Sequence, residues 1–372
     1  MDVPFVSFSA QNERVAEESK AVFSRFFDSQ FYVSGNMTKQ FEEDYARYNQ
    51  VKYSVGISNG LDALHIALKV LGIEPGDEVI VPSNTYIATA LAVEMAGATP
   101  VFVEPDFQTY NISPTEIRKA ITKKTKGIMP VHLYGQACEM DEIMAIASEH
   151  SISVVEDNAQ GHSSTFKGKI TGSFGDVNAT SFYPTKNIGA YGEAGAITTD
   201  SEELAQLCRV WRNYGSEKRY HNMVKGYNNR IDELQAGLLS VKLKYISEWT
   251  LERQRIGKRY LNQLSGIDGF VLPFTHKDAS HVFHLFVVRC ERRDALQAFL
   301  DANGVKTVIH YPIPPHLQMA YQSSGFQKGA FPVAEMLAET SLSLPLYPGI
   351  SDAQVDHVSD LVRKFFKNQV SI

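Results

Sequence analysis

Tyr53-Ser-Val-Gly-Ile57-Ser-Asn-Gly60-Leu-Asp-Ala-Leu-His-Ile-Ala-Leu-Lys-Val70 changes its period in the middle. Up to Ile57 the residues suit an extended strand. From Gly60 the apolar positions recur every three or four residues, as on one face of a helix. Outward from this unit the switch repeats: a strand from Glu78 to Pro82, a helix from about Tyr86 to Met95, and a strand from Pro100 to Val103. A helix follows Ser113-Pro114, whose proline suits a first helical turn. Then come a strand from Gly127 to Leu133, a helix from Asp141 to His150 and a strand from Ser153 to Glu156. Such alternation predicts an α/β fold, a mostly parallel sheet with helices on both faces. Ligands of such sheets bind beyond the carboxyl ends of the strands.

Residues 10 to 27 and 39 to 48 read as amphipathic helices ahead of this core, with Phe31 to Asn36 as a turn between them. After Thr199 the pattern turns helical, first from Ser201 to about Asn213, then from Ile231 to Leu264 as one long or kinked stretch. Strands near Phe270 to Leu272 and His281 to Arg289, with helices near Arg293 to Asn303 and Asp352 to Phe366, predict a smaller α+β domain. The expected division is a large domain over 1–249 and a small one over 250–372.

With 372 residues, 44% of them hydrophobic, the chain can bury a large core, and a net charge of -6 offers no basic field for nucleic acid or anionic lipid. No run approaches the ~18 apolar residues of a membrane span, and no basic segment leads into an apolar one at the N-terminus. Cys138, Cys208 and Cys290 lie far apart and lack zinc-ligand spacing. Reduced thiols and a cytoplasmic location are the expectation.

Three stretches at predicted strand ends carry chemistry. Ser58-Asn59-Gly60-Leu61 opens a helix directly after a strand, where free amides and a side-chain-free glycine make a phosphate cradle; an ordinary Asn-Gly turn is the competing reading. Val154-Val155-Glu156-Asp157-Asn158-Ala159-Gln160 ends an apolar strand in two carboxylates that must face opposite ways. Asp157 is taken as the inward one, suited to a cationic ring nitrogen; a helix cap is the alternative. Ser181-Phe-Tyr-Pro-Thr-Lys186-Asn-Ile-Gly189-Ala-Tyr-Gly192-Glu-Ala-Gly195 sets one lysine between a strand end and a run of glycines, as at a pocket edge, with Ser181 as a hydroxyl donor five residues earlier. Tyr86, after Pro82-Ser-Asn-Thr85, offers a flat ring beside the same pocket.

In this order the parts resemble the DegT/DnrJ/EryC1/StrS sugar aminotransferases, pyridoxal-phosphate enzymes of fold type I with the aspartate-aminotransferase-like fold. The likeness runs from Phe41-Glu42 through Asn59-Gly60, Pro82 to Tyr86, His132-Leu-Tyr-Gly135, Glu156 to Gln160, Lys186-Asn-Ile-Gly, Gly226-Tyr-Asn228-Asn-Arg230-Ile-Asp-Glu-Leu-Gln235, and His310-Tyr-Pro312 to Gln318. It implies that Lys186 carries pyridoxal 5'-phosphate as a Schiff base and that Asp157 pairs with its ring nitrogen. Gln160 would contact its phenolic oxygen, Tyr86 would stack on it, and Gly60, Leu61 and Ser181 would hold its phosphate. Asn228 matches an asparagine that completes the phosphate site of a second subunit, which implies a homodimer with shared active sites.

Tyr183-Pro-Thr-Lys186-Asn-Ile-Gly-Ala-Tyr-Gly-Glu-Ala-Gly195 with Lys225-Gly-Tyr-Asn-Asn-Arg230 is similar to enzymes that aminate C3 of dTDP-3-keto-6-deoxyhexoses, with L-glutamate as donor. Glu193 stands where those enzymes mostly carry aspartate, and Gly161 and Ser163 flank His162 where alanine and glycine are common. Candidates to meet the sugar nucleotide are Tyr183, Lys218, Arg219, Lys225, His310, Tyr311 and His316. A solvated loop is the competing reading for the three cations, and the proline-punctuated histidines do not have metal-site spacing. Two rival functions stay open at this point: amination at C4, and a regulatory protein that binds the cofactor without turnover.

Overall fold

The computed structural model describes residues 1–367. Helices α1 (Ser9–Ser29) and α2 (Asn36–Tyr48) precede a repeating core: β1 (Tyr53–Ile57), α3 (Gly60–Val70), β2 (Glu78–Pro82), α4 (Ile87–Met95), β3 (Thr99–Val103), α5 (Pro114–Ala120), β4 (Thr125–Ile128), α6 (Met140–His150) and β5 (Ser153–Val154). A small hairpin (β6, Thr165–Phe166; β7, Lys169–Ile170) leads to β8 (Asn178–Ser181) and β9 (Gly195–Thr199). The order β3-β2-β4-β5 is parallel, whereas β9 lies antiparallel between β8 and β1. Parallel bridges from Asp157 to Val131 on one side and Ala179 on the other join these two half-sheets. One aspartate backbone is thus the seam of the sheet.

Strand alternation explains the layers. Val79 and Val81 point into a core with Leu64, Leu68 and Val93, while Ile80 between them points into the opposite core with Ile117, Ile143 and Ile146. Both faces are therefore covered by helices, and the strands read as continuous apolar runs because neither face meets water.

α7 (Glu202–Trp211) leads to an exposed hairpin (β10, Ser216–Lys218; β11, His221–Asn222), and then to α8 (Glu233–Leu243) and α9 (Ile246–Leu264). The stretch expected as one long or kinked helix is interrupted at Lys244 and Tyr245, where amides bond three residues back, tightening and ending the last turn of α8. Beyond it, β12 (Phe286–Arg289) pairs antiparallel with β13 (Ser341–Leu344), covered by α9, α10 (Arg293–Ala302) and α12 (Asp352–Lys367). The strand expected over His281 to Arg289 is shorter because the amides of Val282 and Leu285 bond to the carbonyls of Gly135 and Tyr134 instead. Likewise only Val271 of the 270–272 stretch pairs, with Arg289, and the stretch from Gly127 is regular only to Ile128. α11 (Pro332–Thr340) and β13 were not anticipated, although Ser-Leu-Ser-Leu at 341–344 alternates as a strand should.

Candidate active site

The seam places Asp157 at the carboxyl end of the sheet, 5% exposed. Its Oδ2 accepts from Thr89 Oγ1 at 2.9 Å and its Oδ1 from the Ala159 amide at 3.2 Å. Burial dominates and holds its carboxyl above the usual aspartate value, opposed by Thr89, the amide and the charge of Lys186. Thr89 lies in the first turn of α4, its amide bonded at 3.2 Å to the carbonyl of Tyr86, the extended residue that precedes the helix.

Glu156 faces the other way, as strand geometry requires. It accepts from His132 Nε2 at 2.7 Å and from the amides of Gly172, Phe174 and Gly175 at 2.8, 2.5 and 3.0 Å. The Cys138 amide donates to His132 Nδ1, which places the ring proton on Nε2. Burial would raise the Glu156 carboxyl, but the His132 and amide bonds outweigh it and leave it below the usual value. Glu156→Ala is expected to cost about 3–5 kcal/mol of stability, because His132 and three amides lose a buried partner. Chemical denaturation at neutral pH measures this, and an unchanged midpoint would contradict it.

Lys186 occupies the loop between Ser181 and Gly195 and is partly exposed. Burial draws its ammonium down to about 8, against the charge of Asp157. Among the described residues its Nζ has no hydrogen-bond partner. A β-carbon on Gly60 would sit 2.6 Å from Ser181 Cβ, so only glycine lets the start of α3 close on Ser181. The Asn59 side chain caps the Asp62 amide and leaves the Gly60 and Leu61 amides free. A carboxylate and an amine of lowered basicity thus lie within reach of each other's charge, with an amide-hydroxyl cradle formed at the start of the lysine's own loop. That donor set fits a cationic aromatic aldehyde bearing a phosphate.

The C-terminal part closes the other side. Gln160 Oε1 accepts from the Tyr134 amide at 2.6 Å, and Gln160 Nε2 donates to Tyr311 Oη at 3.0 Å. Tyr311 packs 5.4 Å from the ring of Tyr86, and the Tyr134 hydroxyl donates to the His310 carbonyl. His310 is drawn down to about 4 by burial and then by Lys186. His284, which also bonds Asn187 Oδ1 through Nδ1 at 3.2 Å, and His162, drawn to about 3, are kept neutral for the same reasons. His284, Asn187 and Tyr134 were not singled out from sequence. Tyr134 adopts a left-handed backbone at φ 58° beside Gly135, a conformation that tyrosine's residue type does not announce.

Other candidates lie apart from this cluster. His316 is buried and bonds Glu335 at 3.0 Å beneath Phe331, so it does not face the cleft, contrary to expectation; a partner nineteen residues away (335 minus 316) cannot be read from spacing. Lys218, Arg219 and Lys225 are exposed on or beside the β10–β11 hairpin, and the Asn228 side chain is exposed at the surface. Tyr183 and Glu193 are exposed on the Lys186 loop.

The model of the DegT/DnrJ/EryC1/StrS aminotransferase family matches residues 13–363. The dTDP-3-amino-3,6-dideoxy-alpha-D-galactopyranose transaminase of Aneurinibacillus thermoaerophilus is 46% identical, over 98% of this chain and 99% of that protein. A Geobacillus stearothermophilus relative named as a pleiotropic regulatory protein is 42% identical over 99% of this chain and 100% of its own. The crystal structure of S. venezuelae DesV in complex with a ketimine intermediate superposes with a TM-score of 0.97 at 43% identity, covering 98% of this chain and 99% of that one.

Proposed function

Because this chain belongs to the DegT/DnrJ/EryC1/StrS aminotransferase family, whose cofactor is pyridoxal phosphate, we propose that it moves an amino group from L-glutamate to C3 of a dTDP-3-keto-6-deoxyhexose. The observation that carries this is that Lys186 and buried Asp157 feel each other's charge, while the start of α3 closes at Gly60 on Ser181 of the same loop. When bound, pyridoxal phosphate supplies an electron-poor ring that takes up the electron pair left when the donor's α-carbon loses its proton. Asp157 keeps that ring nitrogen protonated, and its burial makes the pairing strong. The Gly60 and Leu61 amides and Ser181 Oγ hold the phosphate. Lys186 Nζ, with a pKa of about 8, would serve as the amine that takes the donor's α-proton and gives it up again. Gln160, fixed by the Tyr134 amide, and Tyr86, packed beside Tyr311, would hold the ring.

A second copy would cover exposed Phe23, Phe27, Phe31 and Tyr32, which are 54, 66, 68 and 51% exposed, and would receive Asn228 at its phosphate site. The hairpin cations Lys218, Arg219 and Lys225 then meet the sugar nucleotide's phosphates, with Tyr183 and His310 at the sugar. Residues 1–249 carry the cofactor in this reading, and the described part of the small domain, residues 250–367, closes over it. No helix among the described residues is long and apolar enough to cross a membrane, and the three cysteines are buried and unpaired, which supports a cytoplasmic location.

Incubation with glutamate and each dTDP-keto-hexose isomer, followed by NMR of the product, is expected to place the new amine on C3. Product from the 4-keto isomer alone would move the assignment to C4. The name of the Geobacillus relative raises a regulatory reading, but an unpaired amine of near-neutral pKa suits turnover rather than retention. Steady formation of 2-oxoglutarate separates the two.

A further inference from the structure

Lys242, on α8, is 7% exposed, and among the described residues no carboxylate pairs with it. Burial pulls its ammonium down to about 8. A buried cation without a counter-ion is a liability that an aliphatic side chain of similar length would avoid. The group is spent on one atom. Nζ donates to the Gly189 carbonyl at 2.6 Å while resting 3.6 Å above the ring of Tyr191.

Gly189 closes the turn that contains Lys186. A β-carbon there would lie 2.2 Å from the Pro184 carbonyl oxygen, so the backbone folds back on itself around Thr185 to Ile188. The Gly189 carbonyl and the Ala190 amide belong to one planar peptide unit. The Ala190 amide donates to the Phe182 carbonyl at 2.7 Å, so this plane is held at both ends, by the loop itself and by Lys242. Gln235, seven residues (242 minus 235) and two turns earlier on the same face of α8, accepts from the Tyr191 amide at 2.9 Å. Opposite, His284 holds Asn187. Lys186 therefore sits between two tethers, and the α8 tether is the only one built on a charge-assisted bond.

We propose that Lys242 is a positioning residue for Lys186, fixing the Gly189–Ala190 peptide so that the reactive amine meets the cofactor aldehyde; this rests on the assignment of Lys186 above. The test uses the full chain as Lys242→Met and Lys242→Arg, with and without pyridoxal phosphate. In the cofactor-free Met variant, hydrogen exchange at the Ala190 and Tyr191 amides is expected to accelerate ~10-fold, the scale of one lost hydrogen bond, while the thermal midpoint holds or rises. The dissociation constant for pyridoxal phosphate, titrated by visible absorption, weakens by a similar ~10-fold factor, and the Arg variant restores both readouts. Wild-type exchange and affinity in the Met variant would overturn the proposal. So would a lower midpoint with faster exchange along all of α8, the mark of a packing role alone. If the wild type instead shows no lysine-linked absorption that Lys186→Ala removes, the cofactor assignment fails, while the exchange data still report on the tether.

Discussion

Lys186→Ala is expected to lose the visible absorption of the lysine-bound cofactor and to slow transamination by at least ~10,000-fold, the upper range for a positioned proton-transfer group. No neighbour can stand in. His162 and His310, at about 3 and 4, are far too weak as bases, and the Asn187 amide beside His284 does not titrate. The variant should still take up the free cofactor, because the Gly60–Ser181 cradle and Asp157 are untouched. Spectra of the purified variant and steady-state rates with glutamate and keto sugar check both halves. Retention of the wild-type spectrum and turnover would remove Lys186 from its role.

Asp157→Asn has the second largest expected effect, a loss of roughly 100- to 1,000-fold in turnover, as when one preorganised electrostatic partner is removed. Its consequence for stability has the opposite sign. Burial raises the Asp157 carboxyl in the fold, so the cofactor-free protein loses stability as pH rises from the ordinary aspartate value through the raised one. Asparagine carries no such charge. At neutral pH the cofactor-free variant should melt higher than the wild type, and the gap should close under acid conditions where both side chains are neutral. Thermal melts across pH decide this; a variant that melts lower at neutral pH would refute it. Lys186 adds a like penalty, since its lowered pKa makes the charged form costly below about 8 and returns stability between there and the ordinary lysine value. The site is held against its own folding preference, as functional sites often are.

The core was legible because its signals are local. Val79, Ile80 and Val81 show the doubly covered strand, and Asn59-Gly60 shows the strand-to-helix turn. Strand alternation put Glu156 and Asp157 on opposite faces without saying which is which, and the structure sets Asp157 toward Thr89 and Glu156 toward His132. What escaped depends on contacts distant in sequence. His284 reaches Asn187 only because the 282–285 backbone pairs with the loop at 134–135, and nothing near either residue announces that seam. His316 misled for the matching reason: its neighbours His310 and Tyr311 turn toward the cleft, while Glu335 takes His316 into the interior.

The bridges from Asp157 to Val131 and Ala179 also bear on how the chain matures. Until those two half-sheets meet, there is no carboxylate opposite Lys186 and no complete pocket. Chains of this length commonly pass through partly assembled states. A vitamin-derived ligand that recognises only the joined form acts as a latch on assembly, worth about 2.7 kcal/mol when present at a hundred times its dissociation constant. Cofactor supply would then govern how much of this protein a cell retains, as well as how fast each molecule works.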